Sequence, residues 1–209
     1  MRIDKMRKAA VGLLLVVTLT QVISCAHKIR YMGLTYPPKQ SAGQPQQISA
    51  TEHANSSSAG VIVLDVFDAR TEKDRLGTSR NAFGADFLDF VTEGNVTAWV
   101  EDAFAYQLTK AGYSVLRKGS ESTNDAETGL IVDIQKVFGV ASYTYNAEVL
   151  LQVTLNRKSQ GLVTKQYQGT SSGGLNWANS GKSLAESLAL ALEDAISKML
   201  VDFYLAEQP

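Results

Sequence analysis

The feature that most constrains this chain is that its single cysteine, Cys25, stands close to the N-terminus. The rest of the 209-residue chain therefore has no disulfide, no thiol nucleophile and no cysteine-based metal site. A fold without such cross-links depends on its hydrophobic core, and 44% of the residues are hydrophobic. Residues 60–209 have a usual length for one domain with its own core.

The residues before Cys25 follow the plan of a secretory signal peptide. Four basic residues among the first eight positions precede an apolar run over residues 9–17. That run is too short to span a bilayer, which takes about 20 apolar residues. A buried N-terminal helix is the alternative, but its charges would not be expected to cluster in front of an uninterrupted apolar stretch. We therefore interpret residues 1–24 as a cleaved signal peptide.

The segment Val22-Ile23-Ser24-Cys25 resembles the lipobox of bacterial lipoproteins, with Val22 in place of the commoner leucine. In such proteins the cysteine thiol receives diacylglycerol, the signal peptide is cleaved before the cysteine, and the new amine is acylated. A thiolate is a suitable nucleophile for that lipid transfer. The resemblance implies cleavage between Ser24 and Cys25 and attachment to a membrane through acyl chains on Cys25, which hold firmly when there are two or more.

Ala26 bears on which membrane holds the protein. In enterobacterial-type sorting, aspartate after the lipidated cysteine retains a lipoprotein in the inner membrane, and other residues permit export. By that resemblance we expect a lipid anchor on the periplasmic face of the outer membrane of a Gram-negative host, in preference to the inner membrane.

Residues 25–59 are interpreted as a lipidated flexible tether. Three of the four prolines lie there, with Gln-rich and Ser-rich stretches that offer little apolar surface to bury. Within it, residues 29–34 are apolar enough to dock on the domain or on a partner. Without residues 1–24 the chain carries 16 Lys and Arg against 20 Asp and Glu, so nothing indicates nucleic-acid binding.

The pattern of residues 60–209 predicts a single α+β domain. A nearly continuous apolar run predicts a strand over 61–67, followed by a polar loop over 68–84. The first helix is expected over 96–111, with Asn95 as its N-cap and Gly112 at its end. The last helix is expected from Ser183, which forms a capping box with Glu186, to about Leu205. Further strands are expected over 86–91, 113–116, 130–138, 144–156 and 162–170. This order predicts a mainly antiparallel sheet with both helices packed on one face.

The domain lacks the usual residues of enzymatic sites. Both histidines, His27 and His53, fall in the tether, which excludes histidine-based acid–base catalysis and zinc sites of the domain. Gly181-Lys182-Ser183 resembles the end of a P-loop, but the position that requires the upstream glycine is Asn176. A helix start explains that segment, so we expect no nucleotide, metal, cofactor or catalytic residue.

Paired carboxylates are the remaining route to an enzyme, because glycosidases use two of them. The candidates by proximity are Asp65 with Asp68, Asp86 with Asp89, Glu101 with Asp102, and Glu193 with Asp194. No aromatic-rich segment of the kind expected for sugar binding accompanies them, so solvated surface is the favoured interpretation. A carboxylate-dependent envelope hydrolase acting on glycan is the alternative function.

Three side chains are candidate partner contacts. Trp177 lies in a glycine-rich segment, 169–177, that is expected to be a loop, and Arg80 and Phe83 lie in the expected loop over 68–84. For Trp177 the alternative is that it folds back over the core.

The order of features resembles that of the YajG-type lipoproteins of Gram-negative bacteria. The resemblance covers most of residues 60–205, and its features are the lipobox, strand 61–67, segment 76–84, the helix leading into 108–115, Tyr143 and Tyr145 in the following strands, and the final helix. It implies an envelope lipoprotein without assigning a reaction. Similar small α+β lipoproteins serve as auxiliary subunits of lipid-transport and lipopolysaccharide-assembly machines. We therefore expect a non-enzymatic, lipid-anchored binding or assembly module that contacts an envelope protein or a lipid.

Overall fold

A computed structural model of the chain describes residues 28–36, 60–118, 128–157, 161–176 and 180–205. These residues form one eight-stranded sheet and two helices. In chain order the elements are β1 (Lys28–Tyr31), β2 (Val61–Asp68), β3 (Arg75–Arg80), β4 (Asp86–Val91), α1 (Val96–Lys110), β5 (Ser114–Arg117), β6 (Thr128–Ala141), β7 (Thr144–Arg157), β8 (Gly161–Leu175) and α2 (Gly181–Leu205).

Strand β6 organises the sheet. Along one edge it pairs in parallel first with β2 and then, through its last three residues, with β3. Along its other edge it pairs with β7 in antiparallel fashion, and β7 pairs likewise with β8. Strand β5 lies parallel beside β2, while β4 and then β1 extend the sheet beyond β3. Among the described strands four of seven pairings are parallel, so the α+β class is confirmed but the expectation of a mainly antiparallel sheet is wrong.

Both helices cover the same face of this sheet. The inward-facing residues of β2, β6 and β7 alternate with the outward ones and join a single buried cluster with the helices. The predicted buried stripe of α2 is confirmed, since every member is at most 5% exposed: Leu184, Leu188, Ala191, Leu192, Ala195, Met199 and Phe203. Helix α1 packs on β2 and β5, and α2 packs on β6, β7 and β8.

The helix ends follow local chemistry, with one correction. The Asn95 side chain accepts a hydrogen bond from the Ala98 N–H at 3.1 Å, which confirms the predicted N-cap of α1. Gly112 adopts a φ of 94°, the left-handed conformation that glycine favours just beyond a helix. The predicted start of α2 is wrong: the helix already begins at Gly181, and Ser183 donates its backbone N–H to the Ser180 Oγ at 3.4 Å. Ser183 therefore lies inside the first turn instead of capping it.

Two expected loops contain strand. Strand β3 lies within 68–84. Its residues Thr78 and Ser79 are fully buried, and they donate their hydroxyls to the carbonyl oxygens of Leu88 and Ala141. Polar residues that bond the backbone in this way hide the strand from a hydrophobicity pattern. Strand β8 continues to Leu175, so the glycine-rich segment is mostly strand as well. Trp177 lies outside the described residues.

Residues 28–36, which the sequence pattern assigned to the tether, belong to the folded domain. Strand β1 pairs with β4, and Met32 donates its N–H to the Val91 carbonyl at 2.9 Å while its side chain is 6% exposed. Further on, the Tyr36 hydroxyl accepts a hydrogen bond from Gln107 Nε2 of α1 at 2.6 Å. The expectation that residues 29–34 can dock on the domain is confirmed, and the interpretation of 25–59 as one continuous tether is corrected.

Candidate binding surfaces

The turn between β3 and β4 displays one of the predicted contact residues. Phe83 is 95% exposed. Its turn is held by Asn81, whose side-chain oxygen accepts the backbone N–H groups of Phe83 at 2.9 Å and Ala85 at 3.0 Å. Arg80, the second predicted contact, binds the Asp86 carboxylate across the base of the turn at 2.8 Å. The turn is therefore well defined, and it presents an aromatic ring to its surroundings.

Two further apolar side chains lie at the same end of the sheet as Phe83. Ser79 of β3 pairs with Ala141 of β6, so the turns after β3 and β6 leave the sheet at one level. Tyr143 in the second turn is 74% exposed, and Leu175, which pairs with Thr144, is 64% exposed. We call residues 80–86, 142–144 and 175–176 the turn end. The sequence pattern does not mark Tyr143 or Leu175 as contact candidates, because only strand pairing brings them to the same end of the sheet as Phe83.

The face of the sheet opposite the helices carries a mixed surface, which we call the open face. No element of the described chain covers it. Its apolar members include Val61, Val63, Phe67, Leu116, Ile131, Phe138, Val140 and Leu150 of β2, β5, β6 and β7, and Leu162 of β8. Phe67 is 46% exposed, with the Lys118 ammonium 5.6 Å from its ring centroid. The apolar side chains of this face are partly exposed to water. A partner that covered them would remove them from water, so this face can bind a partner.

The polar side chains of the open face mostly bind one another. Glu148 of β7 accepts hydrogen bonds from Lys136 at 2.5 Å and from Gln168 at 3.0 Å. Thr154 and Thr164 share a hydrogen bond at 2.9 Å across β7 and β8. Because these polar groups bind one another, the apolar side chains are the part of the face that is most available to a partner.

A third feature is a small apolar groove between the C-terminal part of α2 and strands β7 and β8. Met199 and Phe203 line it on the helix side. At its rim the Asp202 carboxylate accepts hydrogen bonds from Lys165 at 3.0 Å and from the Tyr167 hydroxyl at 3.2 Å. Burial, together with the charge and hydrogen bond of Asp202, raises the pKa of Tyr167 to about 12. The rim is therefore internally paired.

Each of the paired carboxylates is engaged by another side chain. Asp65 binds Lys118, Asp68 binds Arg70 and Asp86 binds Arg80. The others are also engaged: Asp89 with Arg75, Glu101 and Asp102 with Arg117, Glu193 with Gln107, and Asp194 with Lys198. In β2 and β4 the members of a pair stand three positions apart, so their side chains point to opposite faces.

The pKa shifts of two of these carboxyl groups also disfavour a glycosidase site. Burial alone would raise the pKa of Asp68, but hydrogen bonds from the Arg70 side chain and backbone outweigh it and lower the pKa. The pKa of Asp194 is lowered in the same manner by Lys198 and by the Thr170 N–H. A glycosidase needs one carboxyl group with a raised pKa as its general acid. These two side chains are shifted in the opposite direction.

The described ranges contain neither a cluster of metal ligands nor a helix that could cross a membrane. There, no three His, Cys, Asp or Glu side chains come close enough together to hold a metal ion. Neither α1 nor α2 is both long and apolar enough to cross a bilayer. The predicted lipid-attachment residue Cys25 and its neighbour Ser24 lie outside the described residues.

The sequence of residues 46–208, more than three quarters of the chain, matches the model of a family described as uncharacterised lipoproteins. The chain belongs to this lipoprotein family. The match confirms the expectation of a bacterial lipoprotein family, while membership of the YajG-type group stays a prediction. No curated protein sequence is significantly similar to the chain.

Solved structures resemble the chain at low sequence identity. A Xanthomonas campestris protein of the DUF330 family is 16% identical, with a TM-score of 0.51 over 86% of this chain and 95% of the other. The PelC dodecamer of Paraburkholderia phytofirmans is 15% identical, with a TM-score of 0.38 over 65% and 86%. Lipoprotein GNA1162 of Neisseria meningitidis is 12% identical, with a TM-score of 0.35 over 68% and 99%. The likeness to the Xanthomonas campestris protein is one of fold alone.

Proposed function

We propose that this lipoprotein is a non-enzymatic binding or assembly module, anchored by acyl chains on Cys25 to the periplasmic face of the outer membrane. Its role would be that of an accessory subunit of a lipid-handling or envelope-assembly machine, with an envelope protein or lipid as its partner. Membership of a lipoprotein family and the lipobox at Val22–Cys25 support the anchor. The signal peptide, the choice of the outer membrane and the lack of enzymatic activity are parts of this proposal.

The observation that carries the binding role is the open face. Sheets buried on one side by helices commonly leave a polar, solvated face on the other. Here Phe67 and its apolar neighbours interrupt that polar surface. Apolar and aromatic side chains that stay exposed in the free protein are the usual centres of protein interfaces.

A carboxylate-dependent hydrolase acting on glycan is the second candidate from the sequence. No contact in the described residues favours it, because the proposed pairs are bound to cations or amides and two of their pKa values are lowered. Alanine at each acidic pair tests it: loss of the cellular phenotype of the gene, with folding intact, would favour the hydrolase.

The anchor is tested by Cys25→Ala. We expect the variant to lose metabolic labelling with palmitate and to leave the membrane fraction. A Cys25→Ala protein that still labels and still fractionates with membranes would contradict the anchor. Density separation of inner and outer membranes from cells with the unmodified chain tests the choice of membrane.

The binding role is tested by a photocrosslinker at position 67, with position 190 as a matched control. Phe67 on the open face is 46% exposed and Leu190 on the outer side of α2 is 49% exposed, so the two probes are equally accessible. We expect one discrete crosslinked product from position 67 in cells and none from position 190. Equal products from both positions, or none from either, would count against the open face. The same probe at Trp177 tests that residue as a partner contact.

A further inference from the structure

The direction of β1 connects the lipidation site with one end of the fold. Strand β1 runs parallel to β4, with Lys28 beside Leu88 and Tyr31 beside Val91. Strand β4 begins at Asp86 in the turn end and runs away from it. Followed backwards from Lys28, the chain is therefore directed towards the turn end.

Only a short piece of chain separates β1 from the acylated residue. Cys25 stands three positions before Lys28. Three residues span at most about 11 Å even when fully extended. Strand β6 has 14 residues, and at about 3.3 Å per residue the opposite end of the sheet lies about 45 Å away. The acyl chains therefore enter the bilayer within reach of the turn end and out of reach of the opposite end.

We propose that the turn end lies against the bilayer that holds the acyl chains of Cys25, with Phe83, Tyr143 and Leu175 in the lipid–water interface. The proposal rests on the lipid anchor of the proposed function. The lipid surface is the occupant because the acylated residue stands only three positions before β1, on the side of β1 that is directed towards the turn end. The strands then run away from the bilayer, so the open face is perpendicular to the membrane surface and accessible from the periplasm.

The chemistry of the turn end fits an interface between lipid and water. Apolar and aromatic side chains, among them tyrosine, are favoured at headgroup level, where an apolar body and a polar tip are both accommodated. The charged groups of this end are Arg80 and Asp86, which neutralise each other in an ion pair, and the nearby Lys28 at the start of β1. Lys28 is exposed and its charge is attracted to anionic lipid.

The Phe83 turn has an ordered backbone. Its two backbone N–H groups bound to Asn81 hold the turn in shape before any contact is made. A turn that is ordered in advance loses little backbone entropy when its side chain enters an interface. A flexible turn would give no such advantage.

Exposed apolar side chains alone would not identify the membrane-facing end. Leu162 at the start of β8, near the opposite end of the sheet, is 69% exposed, about as much as Tyr143. The position of the anchor is what distinguishes the two ends. Leu162 therefore serves as the matched control.

The test uses the full-length acylated protein in vesicles of phosphatidylethanolamine and phosphatidylglycerol. Phe83→Cys and Leu162→Cys each supply one free thiol, since Cys25 is blocked by its lipid, and each thiol is labelled with an environment-sensitive fluorophore. We expect a blue shift and quenching by lipids with brominated acyl chains at position 83, and neither at position 162. Both side chains are exposed, so circular dichroism should show both variants folded.

The outcomes separate the two proposals. A protein that carries no lipid and does not float with the vesicles contradicts the anchor and the docking together. A protein that floats while the probe at position 83 stays unquenched retains the anchor and overturns the docking. Equal quenching at positions 83 and 162 also overturns it, because the domain would then lie on its side.

Discussion

Arg70 shows how a charge is held inside this domain. Its side chain is 4% exposed and forms two hydrogen bonds with the Asp68 carboxylate, from Nε at 2.9 Å and from Nη2 at 2.8 Å. The Nη2 group also donates to the Lys73 carbonyl at 2.6 Å, whereas Nη1 is buried without a hydrogen-bond partner. The pair lies where β2 leaves β6 and the chain turns towards β3. Residue types alone suggested a solvated loop there.

Asp68→Asn is expected to destabilise the domain by about 3 kcal/mol, because removing one partner of a buried pair leaves the other charge uncompensated. Asp86→Asn is the control, since the Arg80–Asp86 pair is 46% and 36% exposed and an exposed pair contributes at most about 1 kcal/mol. Urea unfolding measures both. Equal, small losses in the two variants would show that the Arg70 pair is not effectively buried.

The lowered pKa of Asp68 predicts that the free energy of unfolding depends on pH under acidic conditions. Its pKa is lowered in the folded state from the ordinary value of 3.8, so its contribution is present above that value and is lost as the pH falls through the folded pKa. The free energy of unfolding should therefore fall with acidification below about pH 4 less steeply in Asp68→Asn than in the unsubstituted chain. Parallel curves would contradict this assignment.

The raised pKa of Tyr167 predicts that the free energy of unfolding falls as the pH rises under alkaline conditions. Its pKa rises from 10.0 to about 12 on folding, so the unfolded chain loses its proton first. The stabilisation is complete below pH 10 and is lost as the pH rises towards 12. Tyr167→Phe should remove this part of the alkaline loss, measured as the urea midpoint from pH 10.0 to about 12. An unchanged alkaline curve would show that another group causes it.

At the scale of elements, the packing of α2 on β8 depends on the lack of a side chain. A Cβ at Gly169 would stand 1.9 Å from the Ala191 carbonyl oxygen and 2.5 Å from the Ala195 nitrogen. The close approach lets α2 reach the backbone of β8: Asp194 accepts the Thr170 N–H at 3.0 Å, and Lys198 donates to the Gln168 carbonyl at 2.9 Å. The helix thus satisfies polar groups on an edge strand that would otherwise be open to pairing.

Gly169→Ala is expected to destabilise the domain by about 1–3 kcal/mol, because helix backbone must shift to admit the methyl group. Gly173→Ala in the same strand is the control, since a Cβ there meets nothing within 4 Å. Thermal unfolding followed by circular dichroism compares them. Similar melting temperatures for the two variants would contradict the close packing of α2.

At the scale of the molecule, one sheet joins all the described strands, and one buried cluster joins that sheet to both helices. Residues of both helices and of the long strands contribute to that cluster, among them Trp99 and Phe203, and so does Met32, which directly follows β1. A domain of this size with a single core usually unfolds in one step. Strand β1 belongs to this unit, so the folded domain begins close to Cys25.

We therefore expect coincident unfolding curves from two probes. Trp99 in α1 is 4% exposed and reports on the helix layer, while far-ultraviolet circular dichroism reports on the whole backbone. The measurement uses Trp177→Phe so that the fluorescence comes from Trp99. Two separated midpoints would show that the layers unfold independently.

The sequence by itself determined the properties that depend on neighbouring residues. The α+β class, the cap at Asn95, the end at Gly112 and the buried stripe of α2 depend on contacts within a few positions, and periodicity reveals them. The lipobox is likewise a local pattern, and the family match is consistent with it.

Only the tertiary structure decided the parallel pairings, the strand at Arg75–Arg80 and the docking of residues 28–36. These depend on partners far along the chain, as in the hydrogen bond from Ser79 to the Ala141 carbonyl across 62 positions. Phe83, Tyr143 and Leu175 lie at the same end of the sheet for the same reason. A strand's composition does not specify which edge it joins, because backbone hydrogen bonding is common to all strands and the neighbour is selected by the packing of the whole core.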